Sequence, residues 1–376
     1  MAKKEENVLT LKTGVLQEMV SRVKKGAGND KQFPITQMIA IQLKDNRLTL
    51  ITTDYDNYFY ISEDKIEGKD FYAVVAVEKF SNLIAKITSD TITMKLDDSS
   101  LNIKGNGKYV IPIEVDDDGT MVKYPDPVAD MVFDPDDTAE INSSTISTIL
   151  TTLKPALATT DENPHYMAYY MGSKVCATNE FLINVMDLEV FKEAVLVSPR
   201  VMDLLGLMKA ENITVNFKDD ITVFSTQDCT LYSRNWEGVE NYSIDAITNY
   251  VNMEFTSMCK LSKSVFLQLL DRLALFVTDL DEGSVYLTFT KDGLQVSSKA
   301  SDGVELIPYV NSENFTDYTC CIDVTLLSKQ IKAQKGDTVE LWYGSDSVIK
   351  LVENNIVQLV ALSDDEDDDL AESGEE

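Results

Sequence analysis

Self-repetition limits the folds open to this chain more than any other feature. Six short segments place apolar residues at helical spacing. The first is Val15, Leu16, Met19, Val20, Val23, and the second is Phe80, Leu83, Ile84, Ile87. The third is Ile146, Ile149, Leu150, Leu153, and the fourth is Val201, Leu204, Leu205, Met208. The fifth is Phe266, Leu269, Leu270, Leu273, and a weaker sixth is Leu326, Leu327, Ile331. They recur roughly every 55–65 residues, and one stripe per helix means one buried face and one wet face. Between them lie alternating β-branched runs, at 91–96, 101–103 and 109–113, at 213–217 and 221–224, and at 338–342, 348–352 and 357–362. Hairpin-length turns such as Asp97-Asp98-Ser99, Lys218-Asp219-Asp220 and Lys291-Asp292-Gly293 separate them. The repeated unit is one helix plus several antiparallel strands. Its helix can bury its stripe only on the sheet, which predicts a two-layer α+β body.

A seam rich in Pro and Asp runs from Lys123-Tyr124-Pro125-Asp126-Pro127 to Asp134-Pro135-Asp136-Asp137, and a softer one spans 241–252. They divide the body into segments 1–130, 131–250 and 251–362, each of two units. Residues 363–376 carry nine acids, no base and no aromatic, and should form a disordered tail.

Composition narrows the function. The chain has 376 residues, with 63 acids against 33 bases and a net charge of −30. No apolar run approaches the roughly 18–20 residues of a membrane span, and Met1-Ala2-Lys3-Lys4-Glu5-Glu6-Asn7 lacks a signal-peptide core. The five cysteines, Cys176, Cys229, Cys259, Cys320 and Cys321, show no Cys-x-x-Cys spacing, which fits packed thiols in a reduced cytoplasm. Cys320 and Cys321, as strand neighbours, would point to opposite faces rather than form a redox or metal pair. His165 is the only histidine, which disfavours His-based metal sites and triads. Gly105-Asn106-Gly107-Lys108 is followed by Tyr109 and is no Walker A loop, and no Gly-x-Ser-x-Gly elbow occurs. Neither an enzyme nor a cofactor is expected.

Charge is sorted along the chain. The windows 13–26, 78–88, 143–154, 199–210, 263–273 and 325–335 are each net positive in this acidic protein. Lys79 and Lys86 stand seven apart on the side of the second helix away from its stripe. Lys329, Lys332 and Lys335 step along the sixth, and Arg22 and Lys25 lie opposite Leu16, Met19 and Val23 on the first. On any single helix such lysines are ordinary solvated charges. If all six helices line one surface, it is cationic inside an anionic molecule and attracts a phosphate polymer. No recognition helix or aromatic platform for reading bases is present.

Four stretches resemble the bacterial-type DNA sliding clamp family, the β subunit of DNA polymerase III. They are Phe33-Pro34-Ile35 with Arg47-Leu48-Thr49-Leu50-Ile51-Thr52-Thr53-Asp54; Val77-Glu78-Lys79-Phe80 through Lys104; Ala177-Thr178-Asn179-Glu180; and Val197-Ser198-Pro199-Arg200 with Trp236-Glu237-Gly238 and Tyr242. The likeness spans 8–362. It implies three similar clamp domains per chain, each a pair of helix-plus-sheet units, closing head to tail as a homodimeric ring with helices inside. It also implies a processivity factor for DNA replication that encircles double-stranded DNA without reading sequence. The implied partners are a replicative DNA polymerase and a clamp loader, in a bacterial cytoplasm and without a membrane.

On that reading the DNA-facing candidates are Arg22, Lys24 and Lys25 on the first helix, and Lys79 and Lys86 on the second. Lys154 belongs to the third, Arg200 and Lys209 to the fourth, Lys263 and Arg272 to the fifth, and Lys329, Lys332 and Lys335 to the sixth. The resemblance also implies a partner-peptide groove, here Met167, Thr178, Phe181, Ile183, Tyr242, Val360 and Leu362, mostly apolar as a peptide pocket requires. Glu180, Phe181 and Leu182 stand where the family has Gly, His and Arg, Glu240 replaces a proline, and Val360-Ala361-Leu362 replaces the usual C-terminus. A changed rim implies a changed partner motif. The tail is expected to leave beside the groove, tuning access toward basic peptides or merely adding solubility, and tail and rim together suggest a phage-encoded member. A trimeric two-domain clamp would show four units rather than six. An acidic interaction or DNA-mimic protein that does not encircle DNA would lack positive helices. A metal enzyme built on Asp116-Asp117-Asp118 would lack rigid ligand geometry.

Overall fold

The structure, a computed structural model, describes residues 8–128, 131–133, 138–161, 163–218, 220–277, 283–299 and 302–363. The acidic stretch after Ser363 and part of the first seam, 129–130 and 134–137, therefore lie outside the described residues. Among those described, the α-helices are α1 (Thr13–Val23), α2 (Val77–Lys86), α3 (Ser143–Thr148), α4 (Pro199–Leu205), α5 (Ile244–Val251), α6 (Lys263–Leu273) and α7 (Val324–Ala333). Six of these fall in the six periodic windows. The remaining one, α5, falls in the softer seam, where Ile244, Ile247 and Val251 form a short stripe among Asn, Thr and Tyr residues that favour turns.

The chain divides into two compact units. The first comprises Met1–Ile146 and Arg200–Asn235, and the second Ser147–Pro199 and Trp236–Glu376. In the first unit, an antiparallel four-stranded sheet runs in the order Val8–Lys12, Thr91–Asp97, Ser100–Lys104, Lys108–Pro112. An eight-stranded sheet runs Phe71–Ala76, Met38–Lys44, Arg47–Thr53, Asn57–Glu63, Cys229–Arg234, Ile221–Ser225, Asn212–Lys218, Thr138–Asn142. Its middle joint pairs Tyr58 with Tyr232 and Tyr60 with Thr230, so one sheet carries strands from both sides of the Pro/Asp seam. Helices α1 and α2 lie together on this scaffold. Leu16, Met19, Val20, Val23, Phe80 and Ile84 are buried, and Gln17 Nε2 donates to the Ile84 and Ile87 carbonyls at 3.0 and 2.9 Å. The Ile84 carbonyl also accepts from the Ile87 amide at 3.3 Å, so Gln17 adds a second bond to the cap at the end of α2.

The second unit repeats the plan. A nine-stranded sheet runs Val195–Val197, Tyr169–Met171, Val175–Thr178, Leu182–Met186, Ile356–Ala361, Val348–Glu353, Thr338–Tyr343, Ser257–Ser262, Asn311–Glu313. A four-stranded sheet runs Val304–Ile307, Gly293–Ser298, Ser284–Thr290, Tyr318–Asp323. Helices α6 and α7 bury Phe266, Leu269, Leu270, Leu273, Val324, Leu327 and Ile331. The start of α7 is capped by Asp323, whose Oδ1 accepts from the Thr325 and Leu326 amides at 2.6 and 2.9 Å. Helix α3 passes into a π-helical turn, Ile149–Leu153, and stops at Lys154-Pro155, where proline ends the amide ladder.

A buried amide cluster ties α7 to the nine-stranded sheet. Asn184 and Gln330 exchange side-chain bonds of 2.8 and 2.7 Å, Gln358 Nε2 donates to Gln330 Oε1 at 2.6 Å, and Gln334 Nε2 donates to Gln358 Oε1 at 3.0 Å. These residues identify the helix-facing side of their strands. Asn184 and Gln358 point toward α7, so Ile183 and Leu359 point away. All five cysteines are buried and none is in a disulfide, and burial pushes the thiols of Cys176, Cys229, Cys259 and Cys320 up to about 12.

Candidate functional site

The outer face of the nine-stranded sheet is covered by Trp236 and by the stretch leading into α5. Tyr242, Val239, Ile244, Ile247 and Val251 pack there on Tyr170, Cys176, Val185 and Leu196. Tyr242 stacks on Tyr170 with ring centres 5.0 Å apart. Gly238 makes the descent possible. It has φ +86°, and a Cβ there would sit 3.1 Å from His165 Nε2.

Beside α5 the cover is incomplete and leaves two adjoining hollows. The smaller, about 160 Å³, is lined by Phe181 and Ile183, by Ser347 and Val348, by Leu359 and Ala361, and by Glu180 and Tyr250. The larger, about 250 Å³, is walled by Asn163, His165 and Tyr166, by Thr178, Asn179, Glu180 and Ile183, and by residues of 241–250 including Tyr242, Ile247 and Tyr250. Glu180, Ile183 and Tyr250 line both and form the saddle between them.

Local chemistry builds the saddle. Asn179 Oδ1 accepts from the amides of Phe181 and Leu182 at 2.9 and 2.7 Å, and Thr178 Oγ1 donates to the Leu182 carbonyl at 2.9 Å. This side-chain-closed turn projects Glu180 and Phe181 outward, and both are exposed. The first unit has the same device at Thr53-Asp54, where Asp54 Oδ1 accepts from the Asn57 amide at 2.8 Å. There the equivalent sheet face is filled: Tyr124, Val128, Met131 and Phe133 pack on Tyr58, Tyr60 and Tyr232. In the second unit Tyr242 is buried and its hydroxyl lacks a partner among the described residues; burial holds its pKa well above the ordinary value.

Of the seven groove candidates, the hollows bring together Thr178, Phe181, Ile183 and Tyr242. Three are corrected. Val360 is fully buried on the side of strand Ile356–Ala361 that faces α7, the side marked by Gln358. Leu359 and Ala361 face the hollow instead, because a shift of one residue along a strand exchanges its faces. Leu362 lies past the strand end, its amide donating to the Ser347 carbonyl at 2.9 Å, and lines neither hollow. Met167 ends the short turn Pro164–Met167, and its neighbours His165 and Tyr166 line the wall. Strand alternation puts Leu359 and Ala361 on one face, but only the bond of Gln358 to Gln330 shows that this face is the one turned to the hollow; Tyr250 and Ile247 required α5, which composition concealed.

The basic candidates separate by their partners. Arg22 is a correction: it was expected on a wet face and is only 5% exposed. Its Nη1 meets Asp228 at 2.7 Å and Glu18 at 3.3 Å, and its Nε donates to the Leu207 carbonyl at 3.1 Å. Burial opposes its charge, but the bond to Asp228 and the fields of Asp228 and Glu18 outweigh it and raise its pKa. Lys263 is half-buried, its Nζ held by the Gln334 carbonyl. Arg200 pairs with Asp54 at 3.3 Å, Lys209 with Glu18 at 2.9 Å, Arg272 with Glu305 at 2.8 and 2.5 Å, and Lys332 with Asp271 at 3.5 Å. Exposed ion pairs of this kind contribute little to stability, whereas Arg200 is held further, since Asp54 is only 18% exposed and Arg200 Nη2 also donates to the Ala27 carbonyl at 2.8 Å. Lys335 Nζ donates to Thr148 Oγ1 at 2.9 Å, and Lys154 is exposed at the end of the π-helical turn. Lys24, Lys25, Lys79, Lys86 and Lys329 are exposed and make no ion pair among the described residues.

Comparison with known proteins agrees with this geometry. Residues 8–118 match the family model for the DNA polymerase III beta subunit, N-terminal domain. A search of curated proteins finds no match. Among solved structures, the beta subunit of Streptococcus pyogenes DNA polymerase is similar with a TM-score of 0.84 and 16% identity, covering 95% of this chain and 100% of its own. The Bacillus subtilis DNA polymerase sliding clamp gives 0.82 and 16%, over 96% and 100%. A Pseudomonas aeruginosa sliding clamp bound to griselimycin gives 0.81 and 13%, over 96% and 100%. The chain has the sliding-clamp fold.

Proposed function

We infer, from a chain with the sliding-clamp fold throughout and the β-subunit N-terminal domain signature over its first third, that this protein is a DNA polymerase processivity factor. It encircles duplex DNA and tethers a polymerase to it. Its body is read as three repeated domains, 1–130, 131–250 and 251–362, and the work is topological rather than catalytic. The observation that carries this reading is a likeness of fold over 95–96% of the chain, combined with exposed helical lysines that make no ion pair among the described residues of a strongly acidic chain. Weak, delocalised attraction to phosphate suits sliding better than tight binding does.

Closure as a homodimer is part of the proposal. Two edge strands support it, each in its own unit: Lys108–Pro112, with Val110 58% exposed, and Val304–Ile307, with Val304 52% and Leu306 54% exposed. Unpaired edges carrying apolar side chains are templates for strand addition from another chain. Sedimentation should therefore give twice the 42.0 kDa chain mass. The polymerase and a clamp loader would reach the ring through short peptides in the hollows beside α5.

The test is topological. Loaded onto nicked circular DNA by a compatible bacterial clamp loader, the protein should stay bound through gel filtration at moderate salt and be lost once the circle is cut. Equal retention on circular and linear DNA would overturn the encircling mechanism.

A further inference from the structure

The saddle between the two hollows carries an uncompensated negative charge. Glu180 is exposed and makes no hydrogen bond or ion pair among the described residues. No lysine or arginine lines either hollow. Lys350, on the same face of strand Val348–Glu353 as Val348, is already engaged: its Nζ donates to the Val251 carbonyl at 3.0 Å and lies 5.4 Å from the centre of the Phe255 ring. Burial lowers its pKa. Two exposed rings share the hollows with Glu180, Phe181 at 55% and Tyr250 at 43% exposure. Glu240 adds a further exposed carboxylate, accepting from Asn241, which lines the larger hollow.

We propose that the groove selects linear peptides in which an aliphatic or aromatic anchor is flanked by lysine or arginine, with Glu180 as the residue that sets this preference. The inference rests on the partner-groove reading above and narrows it to a class of ligand. The smaller hollow, walled by Ile183, Val348, Leu359 and Ala361, takes the apolar anchor. The flanking cation meets the Glu180 carboxylate and can lie over the face of Tyr250 or Phe181, where a ring quadrupole favours positive charge. An acidic flank would place carboxylate against carboxylate, so the same residue both attracts one class and repels the other. Chain-wide acidity speeds encounter with any basic peptide but does not depend on one position. That difference makes the local claim testable.

The experiment uses the full chain and two fluorescein-labelled peptides with the same leucine and phenylalanine anchors, one flanked by two lysines and the other by two aspartates. Anisotropy titrations are run at about 50 and about 300 mM salt. The lysine peptide should bind roughly three- to tenfold tighter at low salt and lose most of that margin at high salt. Glu180→Lys should abolish or reverse the margin. Glu67→Lys, the same charge change at an exposed site in the other unit, should leave it in place. Equal binding of the two peptides, a tighter aspartate peptide, or equal effects of the two substitutions would overturn the role of Glu180 while leaving the groove intact. Failure of both peptides to bind, or binding that Phe181→Ala leaves unchanged, would overturn the groove reading itself.

Discussion

A chain with Lys24, Lys25, Lys79, Lys86 and Lys329 all changed to glutamate should load onto primed circular DNA at least about a hundredfold less well near ~100 mM salt, while its unfolding midpoint hardly moves. These five lysines are exposed, and none is held in an ion pair among the described residues. Removing them costs the fold little, because surface charges without fixed partners contribute within about 0.5 kcal/mol. Their cost to DNA association is larger. Each lysine that meets a phosphate releases counterions and contributes roughly 0.9 to the slope of log affinity against log salt. Reversal also sets carboxylates against the phosphates. Measuring association over a salt series gives the slope directly, and processive synthesis gives its consequence. An unchanged slope would remove these helices from the DNA-facing surface. Arg22→Ala should leave the slope as it is, since the structure takes Arg22 out of the accessible set.

The second large effect is on stability. Arg22→Ala should lower the stability of the first unit by about 3 kcal/mol, at the lower end of what breaking a buried pair costs, because Asp228 is itself partly exposed. The substitution leaves the Asp228 carboxylate without its guanidinium and the Leu207 carbonyl without its donor. Lys209→Ala, which opens a pair with 64% and 41% exposed side chains, should cost under about 1 kcal/mol. Denaturant unfolding, with hydrogen exchange along α1 to localise the change, measures both.

The pH dependence has a definite sign. Burial would raise the Asp228 pKa, but the bonds from Arg22 and Thr226 and the Arg22 charge more than offset it, so the carboxyl is held below 3.8. A depressed carboxyl contributes stability that is fully present above its unfolded value and is lost as pH falls through its folded value. The native protein should therefore lose this contribution only below about pH 4. In Arg22→Ala the Asp228 part of that acid limb should flatten. An acid limb of the same steepness in both proteins would show that Asp228 is not the titrating partner.

Much of the fold is legible along the chain, for reasons that remain local. Leu16, Met19 and Val23 recur at the helical period, and α1 forms with those residues inward. Thr91–Asp97 and Ser100–Lys104 alternate around an Asp-Asp-Ser turn and pair across it. The Ala-Thr-Asn-Glu run likewise contains its own turn, since Asn179 closes it with bonds to Phe181 and Leu182. Such features depend on neighbours within about one helical turn or one hairpin, so residue order alone sets them.

What the linear chain did not reveal depends on partners far away. Arg22 looks like a wet-face cation until Asp228, 206 residues later, is brought beside it. Val360 and Leu359 are equally apolar, and only the bond of Gln358 to Gln330 on α7 decides which faces the hollow. Helix α5 has too short a stripe to announce itself and is held by packing on Tyr170 and Val185. Sequence by itself thus determined the repeated helix-and-strand units and the placing of positive charge on helices, because periodicity and side-chain charge are carried by each segment. Tertiary structure alone decided which cations are buried, which strand face lines the hollows, and where Glu180 stands, because burial and register are properties of the pair and not of either segment.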